Sequence, residues 1–307
     1  MEEIRKTRTP DEFRHQKLEA EKNDNTYRQY AVFLDGKAVC WMDESVWNNE
    51  LYFGFDTVYD EIDEVLLKAV LNKFYEIMNI NNFTVSFYYT YRRAIYTNLK
   101  KAGAAIDEEY IISRLERKDM DADFYKSIIL NNPLENWRLE YYSLLPERLL
   151  NQFVKFYNQS FLDMFELNPY PAKLPVVNAE YIRSVEEIRL KNGISAPMYI
   201  LLDDKDEIAG YCSICIDSSK PDTLRHVGAL TAVDKKHRGN SIARYLKAKL
   251  YLKMLEENKV FRYITTDTMP WNKYMYRINE EFGFIPYRNG CCFKITKKFL
   301  ENYLKLF

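Results

Sequence analysis

Val227–Ala243 reads VGALTAVDKKHRGNSIA, and the reading of this stretch decides the fold. An apolar run ending at Val233 enters a basic turn, Lys235-Lys236-His237-Arg238, and the turn opens a helix at Ser241. The first turn of a helix leaves backbone N–H groups without intrahelical partners, and the helix dipole adds partial positive charge there. A phosphate at that point accepts those N–H groups with little reorganisation. Gly239 lets a backbone approach closely, and the four basic residues supply cationic potential. The pattern predicts an anion cradle for a phosphorylated ligand.

Outward from the cradle, the elements alternate between strand and helix patterns. Leu224–Val233 reads as a strand, and Ser241–Glu257 as a helix with Ile242, Leu246, Leu250 and Met254 at i+4 spacing. Ala243, Leu252 and Leu255 flank that stripe. Upstream, Trp137–Ser143 is a strand and Pro146–Asn158 a helix with Leu149, Leu150, Phe153, Phe156 and Tyr157 on one face. The stretch 167–175, LNPYPAKLP, is too rich in proline for regular structure. Ala179–Lys191 reads as a helix, and Met198–Leu202 and Ile208–Ile216 as a hairpin around Asp203-Asp204-Lys205-Asp206. Downstream come a strand, Phe261–Thr266, a helix, Trp271–Phe282, and a strand, Cys291–Ile295, with Gly283 ending the helix.

The first half repeats this order. Tyr30–Phe33 and Lys37–Trp41 form a hairpin, and then come strand Leu51–Val58, helix Ile62–Met78, strand Phe83–Tyr88, helix Arg92–Lys101 with Gly103, and strand Tyr110–Leu115. Both halves read hairpin, strand, helix, strand, helix, glycine, strand, a whole-domain duplication. The polar stretch Lys118–Asn136, with Asn131-Asn132-Pro133, marks the boundary. Domains are expected at 1–130 and 137–307.

The motifs of the second half resemble those of the GNAT acyltransferases, the GCN5-related N-acetyltransferase superfamily. Arg238-Gly239-Asn240-Ser241-Ile242-Ala243 is similar to that family's pyrophosphate signature, Q/R-x-x-G-x-G/A. It matches at Arg238 and Ala243 and departs at Ser241, where the family has glycine. Asn272–Phe284 resembles the segment N-x-x-M-x-x-I-N-x-x-L-G-F of two-domain members. The resemblance implies an α/β fold of two GNAT-like domains, each a mixed, mostly antiparallel twisted sheet flanked by helices. It implies acetyl-CoA as co-substrate, no metal, and direct transfer of the acetyl group to the amine of a small molecule.

Residue by residue, the resemblance places Arg238, Gly239, Asn240, Ser241, Ile242 and Ala243 at the pyrophosphate. Ala232, Val233 and Lys235 follow the pantetheine arm, with the Val233 N–H meeting the acyl carbonyl, and Asn272 lies near the arm or the adenine. Many members have a tyrosine general acid where Asn279 stands, so the acid is unassigned here. His226, on the strand that carries the cradle, is the candidate base, because histidine titrates near neutrality. Asp163 and Glu166 precede the proline-rich loop and are candidates for attracting a cationic amine. In the first half, Asp60-Glu61-Ile62-Asp63-Glu64 stands where a phosphate loop belongs, and its carboxylates repel pyrophosphate. That half is expected to be a degenerate partner domain, with the cofactor in the second half alone. The alternative function is a coenzyme A-binding sensor or scaffold without turnover.

Bulk properties exclude other classes. A net charge of -1 argues against a dedicated nucleic-acid binder. No run approaches the roughly 20 apolar residues that span a bilayer, and MEEIRKTRTPDEF lacks the apolar core of a signal peptide. The chain is expected to be cytoplasmic, a monomer or homodimer, with its five cysteines reduced. Cys212 and Cys215 have CxxC spacing, but their odd offset within a strand puts them on opposite faces, unlike a zinc site. With only three histidines, a metal-dependent or histidine-based hydrolase is disfavoured.

Overall fold

A computed structural model describes residues 27–34, 37–47, 50–57, 64–90, 92–132, 134, 137–166, 168–169, 176–226, 230–257 and 260–305. The chain divides into two compact units, Met1–Glu109 with Asn289–Phe307, and Tyr110–Arg288. These boundaries differ from the expected 1–130 and 137–307. The reason lies in where each half's last strand pairs.

In unit 1, strands β1 (Tyr27–Leu34) and β2 (Lys37–Trp47) form an antiparallel hairpin, and β2 pairs antiparallel with β3 (Glu50–Thr57). Helix α1 (Glu64–Ile80) then leads to β4 (Val85–Thr90), which returns parallel to β3 with Leu51 opposite Ser86 and Phe53 opposite Tyr88. Helix α2 (Arg93–Lys101) leads into β5 (Ala105–Glu116), along which the chain leaves the unit. The strand that completes unit 1 beside β4 is the end of the chain's last strand, β14 (Ile285–Thr296), with Cys291 opposite Thr90 and Thr296 opposite Val85. Helix α8 (Lys297–Lys305) follows, buries Leu300, and packs on α1, where Tyr75 Oη donates to Glu301 Oε1 at 3.2 Å.

The core of unit 1 is dense with aromatic rings. The α1 face made by Leu67, Val70, Leu71, Phe74, Ile77 and Met78 is buried. Phe53 stacks on Phe74 at 3.9 Å between centroids, and Phe55 on Tyr88 at 4.7 Å. Each such pair adds about 0.5–1.5 kcal/mol beyond its buried area.

Unit 2 begins with the second part of β5, which pairs antiparallel with β13 (Tyr263–Thr268) from Ile111 opposite Thr268 to Glu116 opposite Tyr263. The two halves thus exchange their final strands. This exchange moves the boundary away from the polar stretch at 118–136. That stretch carries helix α3 (Ala122–Leu130), capped by Asp121 and packed on α6 (Ile242–Glu257) through Tyr125 and Ile128. Its short apolar face was hidden among polar residues.

Next come β6 (Arg138–Tyr142), α4 (Glu147–Phe165), α5 (Ala179–Lys191), β7 (Ile194–Ser195) and the hairpin of β8 (Met198–Leu202) with β9 (Ile208–Ser213). Asp203 holds the hairpin turn, accepting from the N–H groups of Lys205 and Glu207 at 3.0 and 2.9 Å. Two segments expected as single strands are each split. Ile208–Ile216 becomes β9 and β10 (Cys215–Asp217), and Leu224–Val233 becomes β11 (Thr223–Arg225) and β12 (Thr231–Val233), with 227–229 outside the described residues. β11 pairs with β10 and runs parallel to β13, whereas β12 pairs antiparallel with β9. The strand therefore changes sheets, and β12 belongs to the order β12-β9-β8-β6, apart from β13.

Helix α6 is buried on two sides. Ile242, Leu246, Leu250 and Met254 are buried, as the i+4 pattern predicts, but so are Lys247, Ala248 and Tyr251. Gly210 on β9 brings α6 close, because a Cβ there would lie 3.0 Å from the Ala232 carbonyl and 3.2 Å from Ile242 Cγ2. Helix α7 (Lys273–Glu281) lies between β13 and β14 in sequence and is capped by Asn272, whose Oδ1 accepts from the Met275 N–H at 3.2 Å.

Candidate functional site

The change of sheet at β12 opens a cleft of about 700 Å³ within unit 2. Its walls come from the C-terminal turns of α4, from β12, from the turn that follows it, and from the starts of α6 and α7. The strand's backbone geometry sets what faces the cleft. Ladder bonds join Ser213 N–H to Leu230 C=O at 3.1 Å and Asp234 N–H to Ala209 C=O at 2.9 Å. Antiparallel ladders alternate, so Ala232 is the next residue to bond β9. Thr231 and Val233, between these positions, direct their N–H and C=O groups away from β9.

The turn then rises through a short 3-10 segment, Lys235–His237, capped by Asp234. Gly239 has φ +87 and open space where a Cβ would stand. Ser241 has φ +58, a left-handed conformation that favours glycine and costs a residue with a Cβ about 1–2 kcal/mol. The serine thus stands at the position where the family signature has glycine. The first intrahelical bond of α6 runs from Tyr245 N–H to Ser241 C=O at 3.0 Å. The N–H groups of Ile242, Ala243 and Arg244 precede it and have no intrahelical acceptor.

Of the residues expected at the site, Ala232, Val233 and Lys235 line the cleft. So do Arg238, Gly239, Ser241, Ile242 and Ala243, as well as Asn272, Asp163 and Glu166. Asn240 does not; its side chain donates to the His237 carbonyl at 3.3 Å. His226 does not either, and this corrects its reading as a base. It is buried away from the cleft, with Nε2 2.9 Å from Tyr251 Oη, and burial followed by the nearby Lys247 charge holds it well below its ordinary pKa. An imidazole kept neutral inside the core has no route to a substrate amine.

The cationic potential of the turn is also reduced. Lys235 pairs with Glu166 at 3.2 Å, and Lys236 pairs with Asp203 at 3.4 Å and with Glu207. His237 Nε2 lies 3.1 Å from Asp203 Oδ2 and its ring packs against Trp137. Burial pushes the Asp203 carboxyl up, but the N–H groups of Glu207 and Lys205 and its two basic partners outweigh this and hold it low. Arg238 Nη2 donates to Asp163 Oδ2, whose side chain is 2% exposed, and Arg238 Nε donates to the Val233 carbonyl at 3.1 Å. Asp163 therefore has a built-in cation and is not an open acidic subsite. The Lys235–Glu166 pair is exposed, and such pairs contribute about 0–1 kcal/mol and exchange readily.

Sequence reasoning missed several walls: Ser160 and Met164 on α4, Thr231, and Tyr274, Met275 and Ile278 on α7. For the helical ones, proximity to Asp163 on α4 and to Asn272 at the start of α7 was the signal that could have found them, and for Thr231 its place two residues before Val233. It also missed Lys247, which is 1% exposed and donates to Asn279 Oδ1 at 2.5 Å. Burial lowers its pKa to about 8. Asn279 donates in turn to Thr268 Oγ1 at 2.8 Å and is buried outside the cleft walls, so it supplies no acid to the cleft. Cys212 is buried with Sγ 3.1 Å from Thr231 Oγ1, and burial pushes its thiol up to about 11. No cluster able to hold a metal occurs among the described residues. No helix among them is long and apolar enough to cross a membrane.

Residues 156–284 match the acetyltransferase (GNAT) family. The second unit is a GNAT domain. Solved structures extend the likeness to both halves. A tandem GNAT protein from the clavulanic acid biosynthesis pathway, solved without AcCoA, superposes with a TM-score of 0.68 at 15% identity, over 89% of this chain and 83% of that one. A GCN5-related N-acetyltransferase from Sphaerobacter thermophilus gives 0.59 at 11% identity, over 86% and 78%. Another from Kribbella flavida gives 0.54 at 9% identity, over 92% and 93%. At these identities the likeness is one of fold, and it establishes two GNAT-like domains in one chain. No curated protein matches the chain in sequence. For the GNAT domain, the sheet change at β12 and the start of α6 lie inside the matched segment.

Proposed function

We propose that the cleft of unit 2 holds acetyl-CoA and that the chain transfers the acetyl group directly to the amine of a small molecule. One observation carries this reading: the outward Val233 N–H and the unpaired N–H groups of α6 line the same cleft. The N–H groups of Ile242, Ala243 and Arg244 suit a pyrophosphate, and Gly239 leaves room for it to approach. The outward edge of β12 at Thr231 suits the amides of a pantetheine arm, which would otherwise enter the cleft unpaired. The Val233 N–H suits the thioester oxygen as negative charge develops on it.

At the other end, Ser160, Met164 and Leu230 leave space for an acceptor. Glu166 is the carboxylate there whose partner is an exposed, flexible lysine, so it is the group that draws an ammonium to the cleft. Only the neutral amine attacks, and its proton passes to solvent at this exposed rim. Unit 1 acts as a partner domain without a second cofactor.

The test supplies acetyl-CoA and a panel of amines and measures free thiol. Thiol release that requires both is expected, and Glu166→Gln should raise the KM of the amine more than it lowers kcat. Acetyl-CoA at about 100 times its Kd should also add roughly 2.7 kcal/mol of stability. Absence of any stabilisation would remove the acyl-CoA reading, and stabilisation without turnover would make the site a binding module.

A further inference from the structure

The Arg238 side chain is the one member of the cradle signature committed to two protein partners at once. Nε donates to the carbonyl of Val233, its fifth residue upstream, at 3.1 Å. Nη2 donates to Asp163 Oδ2, and Gln159 Nε2 holds the other carboxylate oxygen at 2.8 Å. Asp163 sits in the last turn of α4 and is buried, with its side chain 2% exposed. A single planar guanidinium therefore ties the end of β12 to α4 across the cleft wall, a two-way geometry that a lysine ammonium on a flexible stem does not reproduce.

Resting on the acyl-CoA reading above, we infer that Arg238 is a positioning residue for the Val233 N–H, and that it is not a ligand of the pyrophosphate. In an extended strand a residue's N–H and C=O point to the same side, so holding the Val233 carbonyl fixes where its N–H points. The same bond occupies a carbonyl lone pair that would otherwise repel the thioester oxygen beside that N–H. Turning Arg238 toward a phosphate would leave Asp163 a buried carboxylate without its cation, held by Gln159 alone, which is costly. The phosphate already has the helix N–H groups. The tie also explains why an acidic residue inside the acceptor end of the cleft does not act as a subsite for a cationic substrate.

Arg238→Lys and Asp163→Asn test this by calorimetry with coenzyme A and by the carbonyl 13C signal of bound acetyl-CoA labelled at C1. Melting temperatures serve as the control for folding. For both variants the coenzyme A Kd should stay within about threefold of the parent, because no phosphate contact is lost. The bound carbonyl signal, displaced from its solution position in the parent by the Val233 hydrogen bond, should move back toward that position. A coenzyme A Kd raised about tenfold or more in a folded Arg238→Lys protein, equivalent to about 1.4 kcal/mol, would make the guanidinium a phosphate ligand and overturn the inference. An unchanged carbonyl signal in both variants would overturn it as well. Failure of the parent itself to bind coenzyme A would instead sink the acyl-CoA reading, and this inference with it.

Discussion

The same order of elements stacks aromatic rings between strands and helix in one half of the chain and lines a cleft in the other. In unit 1, β3 runs parallel to β4 and pairs with it from Leu51 to Phe53. Beyond that point Tyr88 stacks on Phe55, and its hydroxyl donates to the Phe55 carbonyl at 3.4 Å. In unit 2 the corresponding strand, β12, has left β13 for β9, its outward N–H groups at Thr231 and Val233 turn from β9 beside the cleft, and the Val233 carbonyl accepts from Arg238 Nε. The helices differ in the same way. Where α1 buries apolar side chains alone, α6 buries the Lys247 ammonium between Asn279 and the rings of Tyr251 and Phe284. Duplication supplied two copies of a frame. In unit 2 the chain between β11 and β12 leaves the strand it runs parallel to, and the cleft lies beside that break.

The largest effect is expected from removing the Val233 N–H, the donor proposed to meet the acyl group. Val233→Pro deletes an N–H that the β9 ladder does not use, a strand position where proline is tolerated. Acetyl transfer should fall by about 10²–10³-fold, the usual cost of one oxyanion donor, with coenzyme A affinity largely kept. Equal losses of affinity and rate, or no loss of either, would show that β12 does not meet the acyl group.

Lys247 tests the polar core of α6. Burial holds its folded pKa at about 8, below the ordinary lysine value of 10.5, so the folded state is penalised while the lysine is charged in both states, below about pH 8. Between these two values the unfolded chain binds more protons, and stability contributed by this group rises with pH. Lys247→Met should therefore lose its advantage over the parent across that window, by on the order of 3 kcal/mol. Urea denaturation at pH 7 and near pH 10 measures it, and a difference that does not change with pH would contradict the buried charge.

Ser241→Gly probes the smallest effect. Relief of the positive φ is offset by the entropy glycine loses on folding, so stability should rise by less than about 1 kcal/mol. Coenzyme A should bind slightly more tightly, and thermal shift reads both. A clear loss of affinity would mean that the serine hydroxyl itself holds phosphate.

Much of the frame was legible because periodicity reports which face of an element is buried. The i+4 stripe on α6 and the hairpin at Asp203 are local signals, and both stand in the structure. Strand exchange between the halves was not legible, because β5 and β14 have the same alternating pattern whichever neighbour they pair with. Nor was the break in Leu224–Val233, since an apolar run does not record that its ends lie in different sheets. The cradle itself was read from residue types, but its charges were not. The partners of Lys235, Lys236 and Arg238 lie far off in sequence, on α4 and around the β8–β9 turn. The carboxylates expected to repel phosphate in the first half at 60–63 fall outside the described residues, with Glu64 opening α1.

The measurement closest to the central claim is the stoichiometry of coenzyme A binding to the intact chain by calorimetry, followed by hydrogen exchange on the same complex. One molecule per chain is expected, with new protection at Thr231–Val233 and at the start of α6, and none at β3 or α1. Two molecules per chain, or protection appearing at β3 and α1, would contradict a single cofactor site in unit 2.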